Sequence, residues 1–149
     1  MRAVIQRTTS SRVLIDQREI AHIGPGLMVF LGIKKGDSTS DADYLINKII
    51  NLRIFADKNG KMNLSLLDIS GEILLVSQFT LYGDARKGRR PSFSEAELPE
   101  IALPLFKYVV NRLCQAGLRV QTGEFGADMM VEIDNNGPVT ILLDSNKVF

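Results

Sequence analysis

Two unbroken apolar runs constrain this chain more than anything else in it: LMVFLGI at 27–33 and ILLV at 73–76. A strand with one face in water alternates apolar and polar residues. A run without alternation needs cover on both faces. LMVFLGI therefore reads as a strand with one layer above it and another below. ILLV passes straight into Ser77, Gln78, Phe79 and Thr80, then into a Gly83-Asp84 turn. A buried strand that ends on two hydroxyls and an amide must give those groups something to touch.

The remaining segments supply the cover. MRAVIQRT and SRVLID each read as a short strand, and REIAHIG as a third, bounded by the turn residues of GPG. The first helix has Ser40 as its cap and Asp43 three residues later, with Ala42, Leu45, Ile46, Ile49 and Ile50 on one stripe. Asn59-Gly60 is a turn signal inside NLRIFADKNGKMNLSLLDI. A second helix runs to about Cys114, with Leu98, Ala102, Leu105, Phe106, Val109 and Leu113 on one side and Gly117 as its stop. Pro104 leaves two starts open: the helix begins near Pro104, or begins near Pro99 and bends. LRVQTG, MMVEID and VTILLD complete the strands. Strands outnumber helices, so the expected class is mixed α/β, with two helices packed on one side of the sheet. With 149 residues, 45% of them hydrophobic, and no break or repeat, one domain over 1–149 is expected.

Charge and cysteine content narrow the function classes. Lys plus Arg number 18 and Asp plus Glu 17, a formal charge of +1. That balance argues against a basic coat for non-specific nucleic-acid binding and leaves room for a local basic patch. Cys114 is the only cysteine, so no internal disulfide can form and the chain reads as intracellular. The opening MRAVIQRTT alternates like a strand and has no apolar signal core. No segment reaches the ~18 apolar residues of a membrane span. A soluble cytoplasmic protein with no membrane partner is the expectation.

Elimination then limits the chemistry. His22 is the only histidine, and it reads as an ordinary strand residue rather than as the base of a Ser-His-Asp site. Cys114 sits late in an apolar-striped helix and reads as a small buried thiol. No His/Cys/Asp/Glu cluster has metal-ligand spacing, and there is no Walker loop, GxGxxG or GxSxG, so neither metal nor cofactor is expected. Hydroxyls, backbone N–H groups and the substrate's own groups remain. Ser77, Gln78 and Thr80 can orient a polar substrate or a water, or can simply satisfy backbone groups where a strand becomes a loop. In DNNGPVTILLD, residues 134–144, Asn135 to Pro138 form a dense turn signal ahead of the last strand. If the Gly137-Pro138 bond were cis, its carbonyls would form an acceptor pair suited to an ammonium group. Arg86, Lys87, Arg89 and Arg90, on a glycine-bearing loop after the polar cluster, can hold phosphates or stand as a solvated surface run.

SQFTL at 77–81, RRPSF at 89–93 and NNGPVT at 135–140, taken together, resemble the D-aminoacyl-tRNA deacylases. AVIQR at 3–7, KMNLS at 61–65 and QTGEFGADM at 121–129 resemble that family too, so the likeness spans essentially the whole chain. The resemblance implies a homodimer with helices over sheets in three layers and a barrel-like sheet. It implies hydrolysis of the ester between a D-amino acid and the 3′-terminal adenosine of tRNA, and removal of glycine from mischarged tRNA(Ala). It implies a cis Gly137-Pro138 bond whose carbonyls enter the partner's pocket, hold the α-amino group and exclude L side chains. Ser77, Gln78, Phe79 and Thr80 would line that pocket. The Phe79 N–H would be the donor to the carbonyl or oxyanion, and the ribose 2′-OH would assist the reaction. Arg7 would brace the Gly-Pro loop, Arg86, Lys87, Arg89 and Arg90 would contact the tRNA, and Phe93 and Met129 fall in pocket-region motifs. Two other readings remain: a tRNA-binding module without catalysis, and an oligomerisation domain in which Gly137-Pro138 is only a turn.

Overall fold

The computed structural model describes residues 1–149. In chain order the elements are β1 (Arg2–Ile15), β2 (Arg18–Ile23), β3 (Gly26–Gly32), α1 (Thr39–Asn51), β4 (Phe55–Ala56), β5 (Met62–Leu64), β6 (Glu72–Ser77), a 3-10 turn (Phe79–Tyr82), α2 (Pro99–Gln115), β7 (Arg119–Thr122) and β8 (Met130–Asp144). Six strands form one sheet in the order β2-β1-β3-β6-β7, with β8 on β1, while β4 and β5 pair separately. No helix is long and apolar enough to cross a membrane.

The two apolar runs are the adjacent parallel strands β3 and β6, in register from Gly26↔Glu72 to Leu31↔Ser77. Their alternate residues serve different layers. Leu27, Val29, Leu31, Ile73 and Leu75 face the larger core with α1 and α2. Met28, Leu74 and Val76 face a second cluster with Val13, Ala21 and Ile23, backed by Val131 and Ile133. Both faces are covered, as the missing alternation requires. Leu27, Leu31, Ile73 and Leu75 are fully buried, and each contributes about 1.5–3 kcal/mol of burial. The crossovers from β3 to β6 and from β6 to β7 step the same way across the sheet. Right-handed crossovers taken twice in one direction put both helices on one face.

The opposite layer comes from a bend. MRAVIQRT and SRVLID are one 14-residue strand, not two. Its first half pairs β3 through Thr8 and its second half pairs β2 from Ser11, while β8 runs beside both. The sheet rolls toward a barrel. At the bend the buried hydroxyls of Thr8 and Ser11 lie 2.9 Å apart, and the Ser10 N–H donates to Thr8 Oγ1 at 3.1 Å. MMVEID and VTILLD are likewise a single strand, β8. Gln6 pairs Thr140 and Thr8 pairs Asn135, so Arg7 alone stands opposite residues 136–139. The Gly-Pro segment is thus an excursion within a strand and not a turn that leads into one.

The helices differ from expectation at their ends. The cap of α1 is Ser38, whose N–H and hydroxyl both reach Asp41 Oδ2 at 2.9 Å; the Ser40/Asp43 pair does not cap it. Asp43 instead accepts from Tyr108 at 2.9 Å and pairs with Arg112 at 3.4 Å, which ties α1 to α2. α2 begins at Pro99 and carries Pro104 inside it. Pro104 is exposed, so water can reach the carbonyl that its missing N–H leaves unbonded. Leu98 is exposed as the cap residue rather than part of the stripe, and Cys114 is exposed rather than buried. Gly117 does end the helix: its φ is +87°, its N–H bonds Cys114 O at 2.9 Å, and Leu118 N–H reaches Leu113 O at 3.4 Å.

Candidate active site

The polar cluster stands where the parallel strands β3 and β6 end. In sheets of this kind the carboxyl ends of the strands are the usual place for a ligand. The Gln78 N–H donates to Leu31 O at 2.8 Å, carrying the pairing one residue past β6. The chain then coils into the 3-10 turn against β3. Gly32 permits this approach, since a Cβ there would lie 3.0 Å from Gln78 O and from Leu81 Cβ. The Gln78 amide donates to the Thr80 hydroxyl, its only side-chain partner. Phe79 and Thr80 are exposed. They occupy the first residues of the turn, where backbone N–H groups have no partner within the helix and no side chain caps them.

Thr80 has no base. His22 lies on β2, its Nε2 3.1 Å from Ser10 Oγ and its Nδ1 4.0 Å from Glu19, in a polar recess with Arg12, Glu132 and Asp134. It is the ordinary strand histidine that the sequence indicated.

Aromatic and ionic contacts fix the loop after the turn. Phe93 meets Phe79 edge to face, with ring centroids 5.1 Å apart. Asp84 and Ser92 exchange two backbone hydrogen bonds of 2.7 and 2.9 Å and close the intervening loop. Within it Arg86 grips Asp84 through two 2.8 Å bonds. The Arg86 side chain, then its backbone N–H, hold the Asp84 carboxyl far below the usual carboxylate range. One of the four expected tRNA-contacting cations is therefore already paired. Lys87, Arg89 and Arg90 are exposed, and they make no ion pair or side-chain hydrogen bond. Met129 packs across Gly123 beside Val76, one residue before Ser77.

The second cluster is the excursion on β8. The Gly137-Pro138 bond is cis, and Gly137 has φ +125°. A Cβ on Gly137 would lie 2.8 Å from Val139 Cγ2 and 3.1 Å from Arg7 Nη2. Arg7 sends Nε to Asn136 O at 3.2 Å, Nη2 to Asn136 Oδ1 at 3.1 Å and Nη1 to Ile54 O at 2.6 Å. Asn135 Oδ1 accepts the Val139 N–H at 3.1 Å, and Val139 is buried in the helix-side core.

The two clusters lie at opposite ends of the sheet. Arg7 pairs Leu27 at the start of β3, whereas Ser77 pairs Leu31 near its end. Four residues of strand separate them, about 13 Å along the strand direction. One chain does not bring Gly137 and Thr80 together.

A family model described as D-Tyr-tRNA(Tyr) deacylase matches residues 4–144. The chain belongs to this family. It is 65% identical over 149 residues to the D-aminoacyl-tRNA deacylase of Syntrophomonas wolfei subsp. wolfei, and 59% identical over 149 residues to that of Clostridioides difficile, covering all of each chain. A solved structure titled c-Myc DNA Unwinding Element Binding Protein superposes with TM-score 0.91 at 40% identity, over 97% of this chain and 98% of that one. A second, titled as a probable eukaryotic D-amino acid tRNA deacylase, gives TM-score 0.81 at 18% identity over 96% and 98%, a likeness of fold alone. Within the deacylase family fold, three residues beside the turn take on packing and closing roles that the sequence shows only as a strand glycine and a Gly83-Asp84 turn. Gly32 and Gly83 are the glycines against which the turn and Phe93 pack, and Asp84 closes the basic loop. Asp84 was detectable as the acid two residues before Arg86. Gly83 was legible as a turn residue, and nothing local marked Gly32.

Proposed function

We propose that this chain hydrolyses D-aminoacyl-tRNA as a homodimer, with a pocket shared between subunits. Water adds to the ester carbonyl and the bond to the ribose oxygen of the 3′-terminal adenosine breaks, releasing a free D-amino acid and the tRNA with that hydroxyl restored. The separation of Gly137 from Thr80 within the chain is the observation that carries the reading, because a site holding both needs a second copy. The names of its close relatives support the same reaction. Gly137 and Pro138 of one subunit receive the α-amino group in the pocket of the other, and an L side chain is driven against them. The Phe79 N–H stabilises the developing oxyanion, and the ribose 2′-OH takes the part that no side-chain base is placed to play. Ser77 and Gln78 hold the end of the strand, Arg7 holds the excursion, and Lys87, Arg89 and Arg90 meet the phosphates of the acceptor end. Glycine lacks a side chain to exclude, so glycyl-tRNA(Ala) is also a substrate.

The purified protein is expected to release D-tyrosine from D-Tyr-tRNA while leaving L-Tyr-tRNA largely intact. Equal cleavage of both esters, or of neither, removes this reading. The unpaired cations favour one rival, a tRNA-binding module without catalysis. It stands if tRNA binds with a steep salt dependence while no ester is cleaved.

A further inference from the structure

We propose that Arg2 is a positioning residue for the turn that carries Phe79 and Thr80. This rests on the deacylase reading and adds a residue that neither the motifs nor the pocket contains. The turn is only four residues long, and its own bonds are local: Leu81 N–H to Gln78 O at 3.3 Å and Gly83 N–H to Thr80 O at 2.9 Å. Local bonds shape a turn without fixing where it sits on the sheet. The carbonyls of its last residues also lack partners within so short a helix. Arg2 Nη1 donates to one of them, Leu81 O, at 3.1 Å. The same guanidinium lies 4.7 Å from the centroid of the Tyr82 ring, a cation–π contact with a buried residue. Arg2 thus grips the second half of the turn and leaves the first half free to face the substrate.

Arg2 is itself held. It pairs Gly32 on β3 and Asp144 on β8 through the backbone. Its Nε bonds Asp144 Oδ2 at 2.8 Å, and the Asp144 side chain is 2% exposed. The chain of contacts runs from the paired strands through Asp144 and Arg2 to the turn. Arg2 makes no hydrogen bond to residues 77–80, so its effect is on where the reacting groups stand and not on the chemistry itself. A guanidinium suits the task because its planar fork serves a carboxylate and a carbonyl together, whereas an ammonium is a single point.

The test compares Arg2→Met and Arg2→Lys with the wild type on D-Tyr-tRNA, measuring kcat and KM alongside the amount of folded protein. Arg2→Met is expected to lower kcat about 10- to 100-fold, the scale of a misplacement near 1 Å, with KM for the charged tRNA within about twofold. Arg2→Lys keeps the ion pair with Asp144, gives up the fork, and is expected to fall between. If kcat per folded molecule is unchanged in Arg2→Met, or if only KM moves, the assignment is wrong. Should Arg2→Met fail to fold, Arg2→Lys decides: a several-fold lower kcat upholds the role and a wild-type kcat overturns it. A wild type that cleaves no D-aminoacyl ester would instead overturn the deacylase reading, so the two failures are distinct.

Discussion

At the scale of single residues, Gly137 and Phe79 carry the sharpest demands. The φ of +125° at Gly137 is in a region that side chains disfavour, and a Cβ there would press on Val139 and Arg7. Gly137→Ala must distort the excursion, with local strain of about 1–3 kcal/mol. Its expected outcome is a folded protein with lower turnover and a smaller ratio of D- to L-Tyr-tRNA cleavage, read in the paired assay. Unchanged turnover and selectivity would sink the role given to Gly137. For Phe79 the backbone N–H and the ring can be separated. Phe79→Pro keeps a backbone suited to the first position of a helix and removes the N–H. Phe79→Ala removes the ring alone. If the N–H serves the oxyanion, the proline variant is expected to lose about 10²–10³-fold in kcat, well beyond the alanine variant. Thr80 makes the opposite demand. It has no base beside it, so Thr80→Ala is expected to retain most of its activity. Loss of a covalent nucleophile would cost on the order of 10⁶-fold, and a fall of that size would restore the hydroxyl to the mechanism.

At the scale of elements, the basic loop behaves as a closed hairpin whose latch is Asp84. The Arg86 guanidinium depresses the folded-state pKa of Asp84. Such a group stabilises closure at every pH above its unfolded value of about 3.9 and loses that effect only as pH falls through the lower, folded value. An NMR titration of the Asp84 carboxyl carbon is expected to show no step between pH 4 and 9. A step near pH 4 would mean that the latch is open in solution. The elements also show what a sequence can and cannot carry. β3 and β6 were legible because an unalternating apolar run is a local property with one physical solution. The capping of α1 was not, because Ser-x-x-Asp occurs at Ser38/Asp41 and again at Ser40/Asp43. The choice is made by α2, whose Tyr108 and Arg112 claim Asp43. Cys114 follows Leu113 by one residue, about 100° around the helix from the buried stripe, and that turn carries it to the surface. The continuity of β1 and β8 was illegible for a different reason. Each spans a register shift fixed by the other strand, more than 100 residues away. Of the site, the motifs 77–81 and 135–140 could be found through their family likeness. The links from Arg2 to Leu81 and Asp144 could not, since they join residues 79 and 142 positions apart.

At the scale of the whole molecule, the decisive fact is that the sheet keeps the two candidate clusters apart. β1, β3 and β6 are joined by continuous backbone pairing, and β3 and β6 are mostly buried, so no loop movement within one chain brings the excursion of β8 to the end of β6. A catalytic unit containing both must take them from different copies, and this has a consequence that activity in a uniform preparation cannot reveal. Consider subunits carrying Gly137→Ala and subunits carrying Phe79→Pro. In the proposed homodimer, either variant alone has two damaged sites. A mixed dimer contains one site with an intact turn from the first subunit and an intact excursion from the second, while its other site holds both lesions. Unfolding and refolding the two variants together is expected to restore up to half the wild-type turnover per mixed dimer, with wild-type selectivity for the D-ester. If each site were built within a single chain, every site in the mixture would still carry one lesion and no activity would return. Sedimentation of the wild type at twice the 16.5 kDa chain mass is the companion measurement. A monomer that discriminates D from L would overturn the shared site however the variants behave.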